Sequence, residues 1–246
     1  LQPSPTASTR ILIRRLYIDL IGLPPTPEEL TKWTVQLEGG NISELVDELL
    51  ASPHYGERWG RHWLDVARYG ESNGFERNEP RRNLWPYRDW VIDALNEDMP
   101  YDEFVRMQLA GDILRPGRDG AAATGFLVAG VHNTVVGGSE RMKRLARQDE
   151  LEEIAGAVGQ TFLGLTVNCA RCHDHTFDPI RTEEYYQFIA ALDGVQHGER
   201  QVSAPDPAQQ LAKLREEIEA LRKQIAAIDD AAREADLKAR SEKSPA

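Results

Sequence analysis

The chain has 246 residues, 41% of them hydrophobic, enough apolar material for one large folded domain with a buried core. Its formal net charge of −11, from 29 basic and 40 acidic residues, argues against a nucleic-acid partner, whose footprint is basic. No apolar run approaches the length of a membrane span, and the chain opens on Leu1 with no leader in view, as expected of a mature form or a fragment.

Helical spacing begins at once. Ile11, Leu12, Leu16, Ile18 and Leu20 alternate with Arg10, Arg14, Arg15 and Asp19, so residues 10–21 read as a helix that Gly22 ends. Thr26 caps a second helix, with Pro27 at its first position and Glu29 completing a capping box, and Gly39-Gly40 breaks it. Ser43 opens a short helix to about Ala51, and Ser52-Pro53 opens another to about Tyr69. Residues 70–84, rich in Gly, Asn, Arg, Glu and Pro, read as a loop whose length suggests a function. Helices follow from about Pro86 to Asn96 and from Asp102 to about Ala110. Residues 111–120 look turn-like, and Ala121–Val131 read as a helix weakened by Gly125 and Gly130. Beyond Gly137-Gly138-Ser139, Glu140–Leu165 reads as one long helix. Thr182 caps the last core helix, with Glu183 and Glu184 in its favourable first turn. No strand pairing is evident, so the fold class expected is all-α, an irregular multi-helix domain over residues 1–204.

A boundary falls near Ala204-Pro205-Asp206-Pro207. Beyond it Leu211, Leu214, Ile218, Leu221, Ile225, Ile228, Ala232 and Ala235 alternate spacings of three and four, which is a heptad seam. Residues 205–246 therefore read as a coiled-coil arm, an insertion or linker in a longer protein. Its partner through 207–240 is either another copy of the chain or a segment of the same protein. With eight basic and eight acidic residues from Pro207 onward the arm is neutral, so the core carries the whole negative charge.

Both cysteines of the chain fall in Cys169-Ala170-Arg171-Cys172-His173. C-x-x-C-H is the covalent attachment signal for c-type haem: two thiols three positions apart reach the two vinyl groups on one porphyrin edge, and the adjacent imidazole offers the proximal iron ligand. The competing readings are a Cys169–Cys172 disulfide, which closes a tiny loop and stabilises little, and half a zinc site, for which no further cysteines exist. One covalent haem c, held by Cys169, Cys172 and His173, places the protein outside the cytoplasmic membrane, periplasmic or secreted. His175 is too close in sequence to reach the opposite face easily and suits a propionate, a supporting contact behind the iron ligand or a separate metal, with Asp178 placed to orient His175 or His173. The plainer reading is that Asp174 and Asp178 cap the turn before the next helix.

A second constellation lies on the helix from Pro53. Arg58, His62, Asp65 and Tyr69 share one face, beside Trp59, Trp63 and Val66. His62 is a candidate distal iron ligand or distal acid–base, with Asp65 setting its tautomer and Arg58 in support; the plainer reading is a satisfied structural histidine. His54, His132, His197, Met99, Met107 and Met142 are weaker ligand candidates. Arg77, Arg81, Arg82 and Arg88 form a basic cluster suited either to solvent or to haem propionates or an acidic substrate.

Three strings together resemble a known family. They are Arg14-Arg15-Leu16-Tyr17-Ile18-Asp19-Leu20-Ile21-Gly22-Leu23-Pro24-Pro25-Thr26; Ser52-Pro53-His54-Tyr55-Gly56-Glu57-Arg58-Trp59 with His62-Trp63-Leu64-Asp65-Val66-Ala67-Arg68-Tyr69; and Thr166-Val167-Asn168-Cys169 through Asp178-Pro179-Ile180. They look like the three motifs, in order, of the second Planctomycete-specific cytochrome-like domain, a domain of unknown function, over roughly residues 8–195. The resemblance implies haem and an extracytoplasmic protein, commonly with a small cytochrome c domain before this one and another family-specific domain after it. It implies no reaction.

The reading that follows is a c-type haem protein that carries electrons within a larger extracytoplasmic redox protein, with a redox protein or neighbouring cytochrome domain as partner. The alternatives are a haem enzyme, peroxidase-like or oxidising a carbohydrate-type substrate, and a haem-free interaction module with a disulfide or a bound metal.

Overall fold

A computed structural model describes residues 5–37, 42–75, 77–201 and 207–242. The chain is all-α, and among the described residues the only β pairing is an isolated bridge between Ser72 and Pro80. It divides into two units, residues 1–200 and 201–246. The Gly39-Gly40 break and the Ala204–Asp206 boundary lie outside the described residues.

Three helices form the first layer: α1 (Thr9–Leu20), α2 (Pro27–Leu37) and α3 (Ile42–Leu50). The capping box at α2 forms as its sequence predicts: the Thr26 N–H donates to Glu29 Oε2 at 2.8 Å, and the Glu29 N–H donates to Thr26 Oγ1 at 3.2 Å. Ile13, Tyr17, Trp33, Leu45 and Leu49 make this layer's own small core.

The larger core is built by α4 (Pro53–Val66), α5 (Trp85–Asn96), α6 (Tyr101–Leu114), α7 (Arg118–Ala123), α8 (Gly125–Val128) and α9 (Glu140–Val158). Ser52 caps α4 and Ser139 caps α9 through their side chains. A buried polar node ties three of these helices. Gln108 of α6, fully buried, accepts through Oε1 from the Trp63 indole N–H of α4 (2.7 Å) and from the Tyr87 hydroxyl of α5 (2.9 Å). Its amide donates to the Phe104 carbonyl, so every polar group of the node has a partner.

Three elements differ from their predicted bounds. The helix expected over Ala121–Val131 breaks at Thr124 and ends at Val128, while α6 continues to Leu114 through a non-helical Ala110 (φ −149°, ψ 25°) and α7 starts at Arg118, inside the expected turn. The cause is a backbone contact: Gly111 and Gly120 press together so closely that a Cβ on Gly111 would sit 2.8 Å from the Gly120 carbonyl oxygen. The long helix to Leu165 stops at Val158, passes through a π turn (Gly159–Leu163) and ends at left-handed Gly164 (φ 67°). α10 (Thr182–Leu192) begins at the expected residue, but Thr182 is not its cap; the Thr182 N–H is capped by Asp174 Oδ1 at 2.8 Å.

In the second unit α11 (Pro207–Glu242) is a single helix. Its seam residues Leu211, Leu214, Ile218, Leu221, Ile225 and Ile228 are all exposed. No described helix is long and apolar enough to cross a membrane.

α4 and α5 meet through small residues. The Gly56 N–H donates to Asn96 Oδ1 (2.8 Å), and a Cβ on Gly56 would lie 2.7 Å from Asn96 Cγ and closer still to the Ile92 carbonyl oxygen. Alanine in place of a helical glycine normally gains up to about 1 kcal/mol, whereas forcing an atom against a packed backbone costs about 1–3 kcal/mol. Because the obstacle is backbone, the second effect wins. Gly56→Ala is expected to lower stability by about 1–2 kcal/mol, read from the urea midpoint; equal or greater stability would contradict this packing.

Candidate functional site

Of the C-x-x-C-H residues, Cys169, Ala170 and Arg171 lie on a 3₁₀ turn, Val167–Arg171, that follows the π turn, and Cys172 and His173 come directly after it. In a 3₁₀ helix positions i and i+3 eclipse. Val167 and Ala170 therefore share the inner side, where they are buried with Tyr185. Cys169 and Cys172 are both exposed free thiols. The small Ala170 between them, with no accessible surface, sets which way the turn lies.

The turn is tied down on two sides. Arg171 forms ion pairs with Asp149 (2.8 Å) and Glu152, both on α9. The Tyr186 hydroxyl of α10 donates to the Arg171 carbonyl at 3.2 Å. Beneath it, Gly156 and Gly159 of the α9 end let the backbone cross closely: a Cβ on Gly156 would lie 2.6 Å from the Asn168 amide, and one on Gly159 would lie 2.9 Å from Val167.

His173 is exposed, and its Nδ1 lies 2.8 Å from the Asp174 carbonyl oxygen. A carbonyl only accepts, so Nδ1 carries the proton and the lone pair is on Nε2, which has no protein partner among the described residues. His175 is spent differently. Its Nδ1 accepts from the Asp178 N–H (2.8 Å), so its Nε2 carries the proton and donates to Thr166 Oγ1 (3.1 Å). His175 thus staples the loop around His173. The Asp178 carboxylate stands 3.5 Å from Nδ1, and it is the Asp178 backbone that makes the hydrogen bond.

Beside the turn is a cavity of about 310 Å³ lined by Val66, Arg68, Glu153, Gly156, Gln160 and Asn168, the last adjacent to Cys169. Arg68 follows the end of α4 in a left-handed conformation (φ 57°). Its Nη1 donates to the Glu153 carbonyl (3.0 Å) and pairs with the Glu153 carboxylate. Its Nε and Nη2, and Asn168 Oδ1, are buried without a hydrogen-bond partner. Burial pulls the Arg68 guanidinium below its usual range, against the attraction of Glu153. Arg68 therefore lines the cavity as a cation already paired with Glu153, and its unused Nε and Nη2 present no accessible surface there.

The α4 stripe does not close into the network expected of it. His62 and Asp65 are both exposed and make no hydrogen bond to each other; His62 rests against the Trp59 ring at 5.5 Å. Arg58 packs against Gly22, with its Nε buried and unpartnered. Trp63 belongs to the core node, not to a site. His62 does lie one turn, about 6 Å of helix rise, before Val66, which lines the cavity.

Of the weaker candidates, His54 pairs with Glu57, Met107 is buried in the core, Met99 packs against it and Met142 is exposed. The basic cluster does not converge. Arg81 donates to Asn73 Oδ1 and to the carbonyls of Val128, Ala129 and Gly130, while Arg88 pairs with Asp89 and Glu71. Arg68 lies inside the second motif string, but only the fold brings it to the cavity that Asn168 also lines.

The family model of PSCyt2, described as a protein of unknown function (DUF1549), matches residues 1–197. No curated protein matches the chain, and no solved structure does.

Proposed function

The chain belongs to the PSCyt2 family of planctomycete cytochrome-like domains, and on that premise we propose that it is an extracytoplasmic electron carrier holding one covalent haem c. The observation that carries the reading is the state of His173: a ring whose Nδ1–H is fixed on a backbone carbonyl and whose Nε2 lone pair is free, directly after two exposed thiols on one side of a rigid turn. Fixing one imidazole nitrogen to orient the other is how proteins prepare a histidine for a metal. Cys169 and Cys172 would hold the group covalently, His173 Nε2 would ligate iron, and Arg68, which lines the neighbouring cavity, would face a propionate. When bound, the haem supplies one-electron redox chemistry at its iron.

The chain's own residues account for the rest. Arg171, Tyr186 and the His175 staple hold the turn rigid, so the attachment points need not reorganise. The exposed motif leaves an edge open to a redox partner protein or a neighbouring cytochrome domain. His62, one turn from the cavity wall, would be the candidate for a second protein ligand. A carrier fills that position with a protein ligand, whereas peroxidase chemistry or oxidation of a carbohydrate-type substrate needs it open. The haem-free module, with Cys169 and Cys172 in a disulfide or near a metal, leaves the prepared Nε2 without a use. The exposed seam of α11 suits a coiled-coil partner, for which we take a second copy of this chain.

Three outcomes are expected. Full-length protein made with c-type maturation machinery should keep the mass of one haem after denaturation, and Cys169→Ala with Cys172→Ala should lose it; bare polypeptide mass in the unmutated chain would defeat the reading. In the matured protein His62→Ala should convert a low-spin spectrum to high-spin, and an unchanged spectrum with the fold intact would remove His62 from the iron. Sedimentation should give a dimer for the full chain and a monomer for Leu214→Glu with Ile218→Glu; the same mass for both would show that the seam does not self-associate.

A further inference from the structure

Away from the cysteine turn, three chain segments bring His132, Glu150 and His197 together. His132 lies between α8 and α9, Glu150 is on α9, and His197 follows α10. One oxygen of the glutamate, Oε1, is 2.9 Å from His132 Nδ1 and 2.6 Å from His197 Nδ1. The two rings stack at 4.1 Å, tilted by 14°. A ligand atom from each of the three side chains lies within 4.8 Å of the others.

The surroundings hold this arrangement without completing it. Glu150 Oε2 takes a hydrogen bond from Arg147 (2.5 Å), which leaves Oε1 for the histidines. Arg147 also donates to the carbonyls of Asp193 and Val195, fixing the segment that delivers His197. The His132 N–H donates to the Asn73 carbonyl, and Arg81 binds the Asn73 side chain and the three carbonyls of residues 128–130, fixing the segment that delivers His132. Second contacts of this kind orient metal ligands.

His197 itself is left unsatisfied. Its side chain is 12% exposed, and both ring nitrogens are buried with no hydrogen-bond partner, so the 2.6 Å approach to Glu150 is a contact and not a hydrogen bond. Orphaned buried nitrogens carry a desolvation cost that something must offset. Glu150 Oε1, 2.6 Å away, is the carboxylate oxygen that faces them. A shared cation would satisfy both at once.

We propose that His132, Glu150 and His197 bind one first-row divalent metal ion of the zinc type, through an imidazole nitrogen of each histidine and Oε1 of the glutamate. Two imidazoles with one carboxylate is a ligand set that takes zinc and leaves a position open, and imidazole selects against magnesium and calcium. The ion would fasten three segments of the core unit. The site is independent of the cysteine turn and of its haem reading.

Zinc itself is the probe, and the thiols must be removed from the competition. The full chain carrying Cys169→Ser and Cys172→Ser, titrated with zinc against a chromophoric chelator, should bind one equivalent and gain thermal stability, while magnesium does neither. His132→Asn and, separately, Glu150→Gln should each weaken zinc binding by about 100-fold or more, given that even second-shell changes lower affinity by about 10–100-fold. His132 is the safer variant because it is the most exposed of the three. Cobalt(II) in place of zinc should give visible bands that disappear in His132→Asn. No stoichiometric zinc in folded protein, or equal affinity in folded His132→Asn, would overturn the proposal.

Discussion

Arg68 lies just beyond the end of α4, in a left-handed backbone conformation, and its guanidinium reaches both the carbonyl and the carboxylate of Glu153 on α9. Most of what matters for the site runs through that contact. α4 is fixed from its other side by the Gln108 node and by the close approach of Gly56 to α5. α9 in turn holds the cysteine turn through Asp149, Glu152 and the small surface of Gly156. The arginine thus joins the rigid core to the segment that carries the cysteines. It does so while leaving two of its nitrogens buried and without a partner, at a desolvation cost that the contact with Glu153 offsets.

The cysteine turn shows how local geometry converts a spacing into a presentation. A three-residue period is wasteful in a long helix, but over one turn it puts Val167 and Ala170 inside and leaves both thiols exposed. The π turn ahead of it and left-handed Gly164 redirect the chain off the end of α9. His173 and His175, two residues apart, take opposite tautomers because one faces a carbonyl acceptor and the other a backbone donor. One is left ready to ligate and the other becomes a staple.

Much of this was legible in the sequence because it is local. The Thr26 capping box, the helix start at Ser52-Pro53 and the loop at 70–84 depend on residues a few positions apart. The C-x-x-C-H motif is likewise a local pattern, as is the α11 heptad seam, although the seam's partner is not. What escaped depends on contacts between distant segments. The kink at Ala110 and helix α7 come from two glycines pressing backbones together. Arg81 read as a loop cation facing either solvent or an acidic ligand, and it instead staples carbonyls nearly fifty residues away. Arg58, His62 and Asp65 share a helix face, but that face alone does not make them a network. His132, Glu150 and His197 are brought together only when three segments close, so no spacing announces them.

The central claim is that Cys169, Cys172 and His173 hold a haem that passes electrons. An optical redox titration of the matured full-length protein tests it most directly. The account predicts a c-type spectrum that cycles reversibly between two states with one-electron dependence on potential, and that is absent when both cysteines are replaced by alanine. A protein with both thiols intact that shows no haem bands after maturation, or whose bands do not follow the applied potential, would contradict it.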